Sequence, residues 1–235
     1  MCSLEIIYRI YIITDAVRNA RRQKNYILKS YNNTFNYFAN VIAIGILSFY
    51  YPTRSILGLQ SFHCPGSANE PTILLDDYFI ADMQVYDYAP PQLGDIVVYK
   101  KEDGQLYTHR IAALPNDTFE LRNNIAVING KMSKETFIKD TALEENIQAK
   151  EFEEELPNGM KHHIYKFNNP YDSSKAAVNS IIIPAGCYYV LGDNRDNALD
   201  SRYIGVIKKE NIKGKVLYSY WGKTTDRINI NFRDK

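Results

Sequence analysis

The feature that most constrains this chain is the stretch Gly192–Gly205, GDNRDNALDSRYIG, set between the apolar runs Cys187–Leu191 and Tyr203–Ile207. Tyr, Val and Ile dominate those runs, which is the composition of strands. Three Asp, two Asn and two Arg lie in the stretch, a dense set of charges beside predicted core. The residues admit three readings. Gly, Asn and Asp are turn formers, so an exposed turn is one. Asp193, Asp196 and Asp200 offer oxygen ligands to calcium, but their spacing is not that of a calcium loop and Arg195 repels the ion. The third is an internal ion-pair scaffold, with Arg195 and Arg202 held against the aspartates by forked hydrogen bonds.

A chain of 235 residues, 45% hydrophobic, can build one moderate core or two small lobes. Lys+Arg 28 against Asp+Glu 27 leaves no basic excess, so nucleic acid is not an expected partner. The 19 tyrosines fit β-rich structure. Cys2, Cys64 and Cys187 lack metal-ligand spacing, allow at most one disulfide and demand none.

The N-terminal part differs from the rest. Residues 1–34 carry Arg9, Arg18, Arg21, Arg22, Lys24 and Lys29 against Glu5 and Asp15. From Ser30 to Thr53 no side chain is charged, and the apolar centre of this stretch is Phe35–Tyr51. That is a short but sufficient transmembrane helix, predicted over 35–52. Tyr37, Tyr50 and Tyr51 suit its interfaces, and Arg54 is the only Lys or Arg between it and Lys100. The charge asymmetry places residues 1–34 in the cytoplasm and the bulk of the chain outside. The competing reading is a buried core helix. The run Ile6–Ile13 reads equally as a surface-lying helix or a core strand.

Five stretches together resemble one family. Gly192–Arg202 resembles the last box of the type I signal peptidases, GDNRDNSxDSR, with Ala198 in place of its Ser. Cys64–Leu74, CPGSANEPTIL, resembles the nucleophile box PSxSMxPTL. Anchored on Pro65 and Pro71-Thr72, it puts Ala68 where the catalytic serine belongs, and Leu75–Ile80 follows as a strand. Gly94–Tyr99, GDIVVY, resembles the box GDIVVF, whose strand lines the family's cleft and pairs with extended substrate. Thr108–Asp117, THRIAALPND, resembles the base box KRVVGLPGD, with His109 at the Lys position. Ile125–Gly130 resembles the strand that follows, after a hairpin turn at Asn123-Asn124.

The resemblance covers nearly all of residues 35–221. It implies a mostly β fold: twisted antiparallel sheets around an extended peptide-binding cleft, a transmembrane helix at 35–52, and a core from 53–130 and 180–235. The C-terminus, with Trp221 and alternating Ile228 and Ile230, finishes the core, and the charged segment 131–179 resembles the family's β-rich insertion lobe. His162 and His163 within it are poor metal ligands, since neighbours on a strand face opposite ways. The implied reaction is removal of signal peptides from exported preproteins by a serine and a neutral Lys or His base, without metal or cofactor. The implied partners are preprotein signal peptides or other extended peptides, and membrane lipid.

By that resemblance His109 is the base and Ala68 stands at the nucleophile position. Ser67, one position away, is the substitute hydroxyl, although an extended backbone turns it away from His109. Pro65, Gly66, Asp95, Ile96 and Val97 line the substrate and oxyanion side, and Asp193, Arg195, Asp200 and Arg202 brace the site. Two functions follow: an active peptidase with an altered site, or a pseudopeptidase that binds extended peptides or partner subunits without cutting. The replacements at Ala68, His109 and Ala198 fall on the reactive positions.

Overall fold

In a computed structural model the chain divides into two compact units, residues 1–52 and 53–235. The structure describes residues 58–143 and 146–232, together with residues 14, 18, 38–42 and 45. In the first unit the described residues are helical, and Phe38, Val41 and Ile42 are exposed. Most of the predicted span 35–52, the run Ile6–Ile13 and all but two residues of the basic segment 1–34 lie outside the described residues. Among the described residues no helix is long and apolar enough to cross a membrane.

The second unit is mostly β, and its strand ladders are antiparallel. One sheet has the order β1 (Leu59–His63), β2 (Tyr78–Asp82), β14 (Ile212–Trp221), β3 (Ile96–Lys100), β4 (Leu106–Ala113), β12 (Cys187–Leu191), β13 (Ile207–Lys208). A second runs β11 (Val178–Ile182), β5 (Thr118–Arg122), β6 (Ile125–Ile128), β7 (Lys131–Met132). A third is β10 (Lys161–Phe167), β9 (Gln148–Glu155), β8 (Lys134–Ala142).

Strand β3 shows how the sequence makes the core. Its run IVVY does not alternate with polar residues because both faces are covered. Ile96 and Val98 pack with Phe79, Val216 and Phe232, while Val97 and Tyr99 pack with Ile111, Tyr188 and Val190. A third cluster joins the first two sheets, with Phe119 of β5 stacked on Tyr189 of β12 at 4.2 Å between ring centroids. Asn123 and Asn124 make the expected two-residue turn, both left-handed at φ 50° and 62°. Leu156–Gly159 turns β9 into β10, with Gly159 at φ 85°. The expected lobe 131–179 is divided at its ends. Lys131–Met132 pair with β6 and Val178 with β5, so the separate sheet is 134–167.

Three local expectations are corrected. Tyr203–Ile207 is not a strand: Ser201–Ile204 is one helical turn, capped by the Asp200 side chain accepting from the Arg202 amide and stopped by Gly205 at φ 77°. The strand expected over Leu75–Ile80 starts only at Tyr78, because Asp76 turns the backbone at φ 67° and Asp77 accepts from the Leu74 amide at 2.9 Å. Of the residues expected to finish the core, Ile230 packs against it but Trp221 and Ile228 are exposed, and Phe232, 2% exposed, closes it. Cys64 and Cys187 are both free thiols, and burial pushes the Cys64 thiol up to about 11.

Candidate active site

Residues 64–77 are the long loop of the hairpin formed by β1 and β2. Its base is closed by backbone bonds from Cys64 N to Asp77 O at 2.8 Å and from Asp76 N to Cys64 O at 2.9 Å. The stretch 193–197 clasps its tip. Asn194 donates its amide to Ala68 O and its side chain to Ser67 O, both at 3.1 Å. Asn197 Nδ2 donates to Ser67 Oγ at 2.8 Å, and Thr72 Oγ1 donates to Asp193 Oδ2 at 2.5 Å. Asn69, at the pattern's Met position, donates to Thr108 O of β4 at 2.7 Å. Cys64 and Ile73 anchor the loop in the core, and these bonds shape its Gly-, Ser- and Asn-rich tip.

His109 projects from β4, opposite Val97 of β3, and is buried. Tyr99 OH lies 2.9 Å from its Nδ1. The other edge of the ring faces the loop. A Cβ placed on Gly192 would stand 3.5 Å from His109 Cδ2, 2.6 Å from the Ala68 carbonyl oxygen and 2.2 Å from Ala198 Cβ. Only glycine fits there, and Ala68, His109 and Ala198 meet around it. Burial lowers the His109 pKa to about 4, Asp200 and Asp193 oppose that fall, and Arg202 adds to it. The ring is therefore neutral near pH 7.

The charges of the 192–205 stretch are internal. Arg110, next to His109 in sequence, forks onto Asp193 with bonds of 2.9 and 2.7 Å and donates to Gly94 O at 2.9 Å. Arg202 forks onto Asp200 at 2.8 and 2.7 Å, and Asp200 also accepts from the Gly192 amide at 2.9 Å. Arg195, expected against the aspartates, pairs instead with Glu154 of β9. His162 of β10 sits beside the same carboxylate, with Nε2 at 3.1 Å. Both acids are buried, yet burial is outweighed. Arg110 holds Asp193 below the usual carboxylate range, and Arg195 with His162 does the same to Glu154. Backbone bonds reinforce the joint: Tyr165 N donates to Asp193 O and Arg195 N to Tyr165 O, both at 2.9 Å. The box thus ties the 134–167 sheet to the site, and the exposed-turn reading fails.

The structure brings Ser67, Ala68, His109 and the four scaffold residues together. Pro65 and Gly66 are exposed on the loop. Asp95 is a turn brace, accepting from Tyr86 OH and the Gln92 amide at 2.9 Å and pairing with Lys215 at 2.7 Å. Ile96 and Val97 are sealed in the core, and Val97 has β4 on one side and β14 on the other, so an added strand cannot pair there. Open edges lie elsewhere. Among the described residues strand β1 ends its sheet, and Leu106–His109 of β4 pair with β3 alone. Sequence reasoning missed Tyr99, Asn194, Asn197 and Glu154. The signal for Tyr99 was present, since GDIVVY ends in a hydroxyl where the pattern GDIVVF has none. Among the described residues no group of His, Cys, Asp or Glu is arranged to hold a metal ion.

Comparison with known proteins covers the same region. The family model for "Signal peptidase, peptidase S26" matches residues 36–221. The signal peptidase I of Rickettsia felis is 29% identical, with 82% of this chain and 83% of the relative covered. That of Rickettsia typhi is 28% identical over 86% and 87%. A crystal structure of a signal peptidase I from Enterococcus faecalis V583 is 25% identical over 54% of this chain and 97% of that one, with a TM-score of 0.33.

Proposed function

Because the chain belongs to the signal peptidase family, peptidase S26, we propose that it is a membrane-anchored member that binds the signal-peptide segments of preproteins and does not cut them. The family's reaction is removal of those segments. The observation that carries the non-cutting reading is an alanine at position 68, whose backbone carbonyl lies against Gly192 where Ala198 and His109 also converge. A carbon without a leaving proton or lone pair cannot attack a carbonyl. The binding parts remain. The hairpin loop is clasped by Asp193, Asn194 and Asn197, and Asp200 with Arg202 braces the glycine beside it. The open edges of β1 and of Leu106–Tyr107 offer backbone groups to an extended peptide, and Pro65 and Gly66 are exposed on the loop.

In this reading residues 1–34 are cytoplasmic and 35–52 span the membrane in contact with lipid. Residues 53–130 with 180–235 form the extracytoplasmic core and 131–179 the inserted segment, of which 134–167 is a sheet of its own. The alternative is an active peptidase using Ser67 as nucleophile and His109 as base. Ser67 Oγ keeps its own proton while accepting from Asn197, which leaves it chemically competent, but among the described residues its partner is Asn197 and not His109.

The test is a titration of the detergent-solubilised full chain with a fluorescent synthetic signal peptide carrying small residues before its cleavage point. Anisotropy reads binding and mass spectrometry reads integrity. The expected result is saturable binding with the peptide intact. A cleaved product that disappears in Ser67→Ala establishes the alternative, and failure to bind contradicts both readings.

A further inference from the structure

The hydrogen bond between Tyr99 and His109 decides what the base position of this site can do. We infer that Tyr99 holds His109 in the tautomer with its proton on Nε2, so that the ring presents an N–H donor, not a basic lone pair, to the space beside Ala68. The acceptor that fits it is a backbone carbonyl of an extended peptide. The choice of ligand rests on the proposed function; the tautomer does not.

Orientation comes first. Tyr99 OH is 2.9 Å from Nδ1, which turns the Cδ2–Nε2 edge toward Gly192, where a Cβ would stand 3.5 Å from Cδ2. The same glycine touches the Ala68 carbonyl and the Ala198 methyl. Hydrogen-bond accounting comes second. Tyr99 is fully buried, and among the described residues its hydroxyl has one partner, His109. If the ring donated from Nδ1, the phenol proton would be sealed in the core with no acceptor, a cost borne in full. If the phenol donates, its own proton is placed, and the one ring donor left without a partner among the described residues is Nε2–H, on the edge that faces Gly192. Charge comes third. The charged groups acting on the ring are Asp200, Asp193 and Arg202, and burial leaves the ring neutral, so only one nitrogen carries a proton. Burial also raises the Tyr99 pKa, so the phenol keeps its proton to donate.

An imidazole protonated at Nε2 cannot take a proton at that nitrogen. Holding a triad histidine in its wrong tautomer costs about 10⁴ in rate. Tyr99 is a positioning residue in this sense: it sets what His109 offers without touching the peptide.

The test is long-range 1H–15N correlation of the histidine rings in the 15N-labelled full chain in detergent at neutral pH. His109→Gln identifies the His109 signals among those of the 4 histidines. The expected result is an unprotonated Nδ1 and a protonated Nε2. Tyr99→Phe removes one oxygen from a packed ring and should move both nitrogens toward the averaged values of a free histidine. A protonated Nδ1 in the wild type, or ring shifts unchanged in Tyr99→Phe, overturns the inference. Added signal peptide should shift the Nε2–H proton and slow its exchange with water. Peptide binding seen in the amide spectrum with Nε2–H unmoved overturns the carbonyl contact. Lack of any binding contradicts that contact and the proposed function together, while the tautomer is read independently from the free protein.

Discussion

A neutral imidazole sealed among charged groups leaves a signature in the pH dependence of stability. His109 titrates at about 4 in the folded chain and near 6.5 in an unfolded one. Between those values the unfolded chain binds a proton that the folded chain refuses, so stability falls as pH drops from about 6.5 toward 4 and is whole above 6.5. The full effect is about 3 kcal/mol, and His162, lowered by burial, acts in the same direction. Urea midpoints should decline through that window, with a shallower slope in His109→Gln; equal slopes would contradict the buried-neutral ring. Asp193 and Glu154 are held below the usual carboxylate range, so their contribution is lost only in stronger acid. At Arg202 the expectation is plainer. Removing it leaves Asp200 charged and buried, which costs about 3–5 kcal/mol; an unchanged Tm for Arg202→Ala would argue against a buried pair. This scale was partly legible in the sequence, since internal pairing was one of the three readings that the charge density of GDNRDNALDSR admitted. The partners were less so. Asp193, Asp196 and Asp200 look alike in sequence, and nothing local says that Arg110 takes the first or that Glu154, in another sheet, takes Arg195.

Strands were readable where both faces are apolar or the turn residues are decisive, as in β3, β4 and the Asn123-Asn124 hairpin. The failure at Tyr203–Ile207 has a definite cause. Aromatic and β-branched composition favours a strand, but a side-chain cap at Asp200 and a left-handed Gly205 override a weak propensity over so few residues. The edges of the lobe were less legible for another reason: β7 and β11 pair with β6 and β5, and pairing between distant segments leaves no local pattern. The joint between the 134–167 sheet and the box is where elements meet, through Tyr165 with Asp193 and Arg195, and through Glu154 with Arg195. Arg195→Ala should therefore loosen β9 and β10 selectively. Amide exchange at Tyr165 and Phe167 is expected to rise well before that at Phe79 or Val216, because local opening follows the lost contacts. A uniform rise across all strands would mean that the joint is not a separate cooperative contact.

At the scale of the whole molecule, the account joins a membrane anchor to a preserved peptide site without its nucleophile. The charge asymmetry around 35–52 predicts that external protease digests residues 60–235 in right-side-out vesicles; protection of that segment would reverse the topology. Family membership and the mostly β fold followed from sequence boxes spread along the chain. Whether the site cuts did not, because Ser67 and Ala68 are neighbours in sequence and only the folded loop gives Ser67 its partner, Asn197. The measurement that tests the account most directly is incubation of the full-length protein in its membrane with a preprotein, followed by co-purification and sequencing of the preprotein's N-terminus. The account predicts intact preprotein held by the protein. A new N-terminus at the signal-peptide junction, made by wild type and lost in Ser67→Ala, would contradict it.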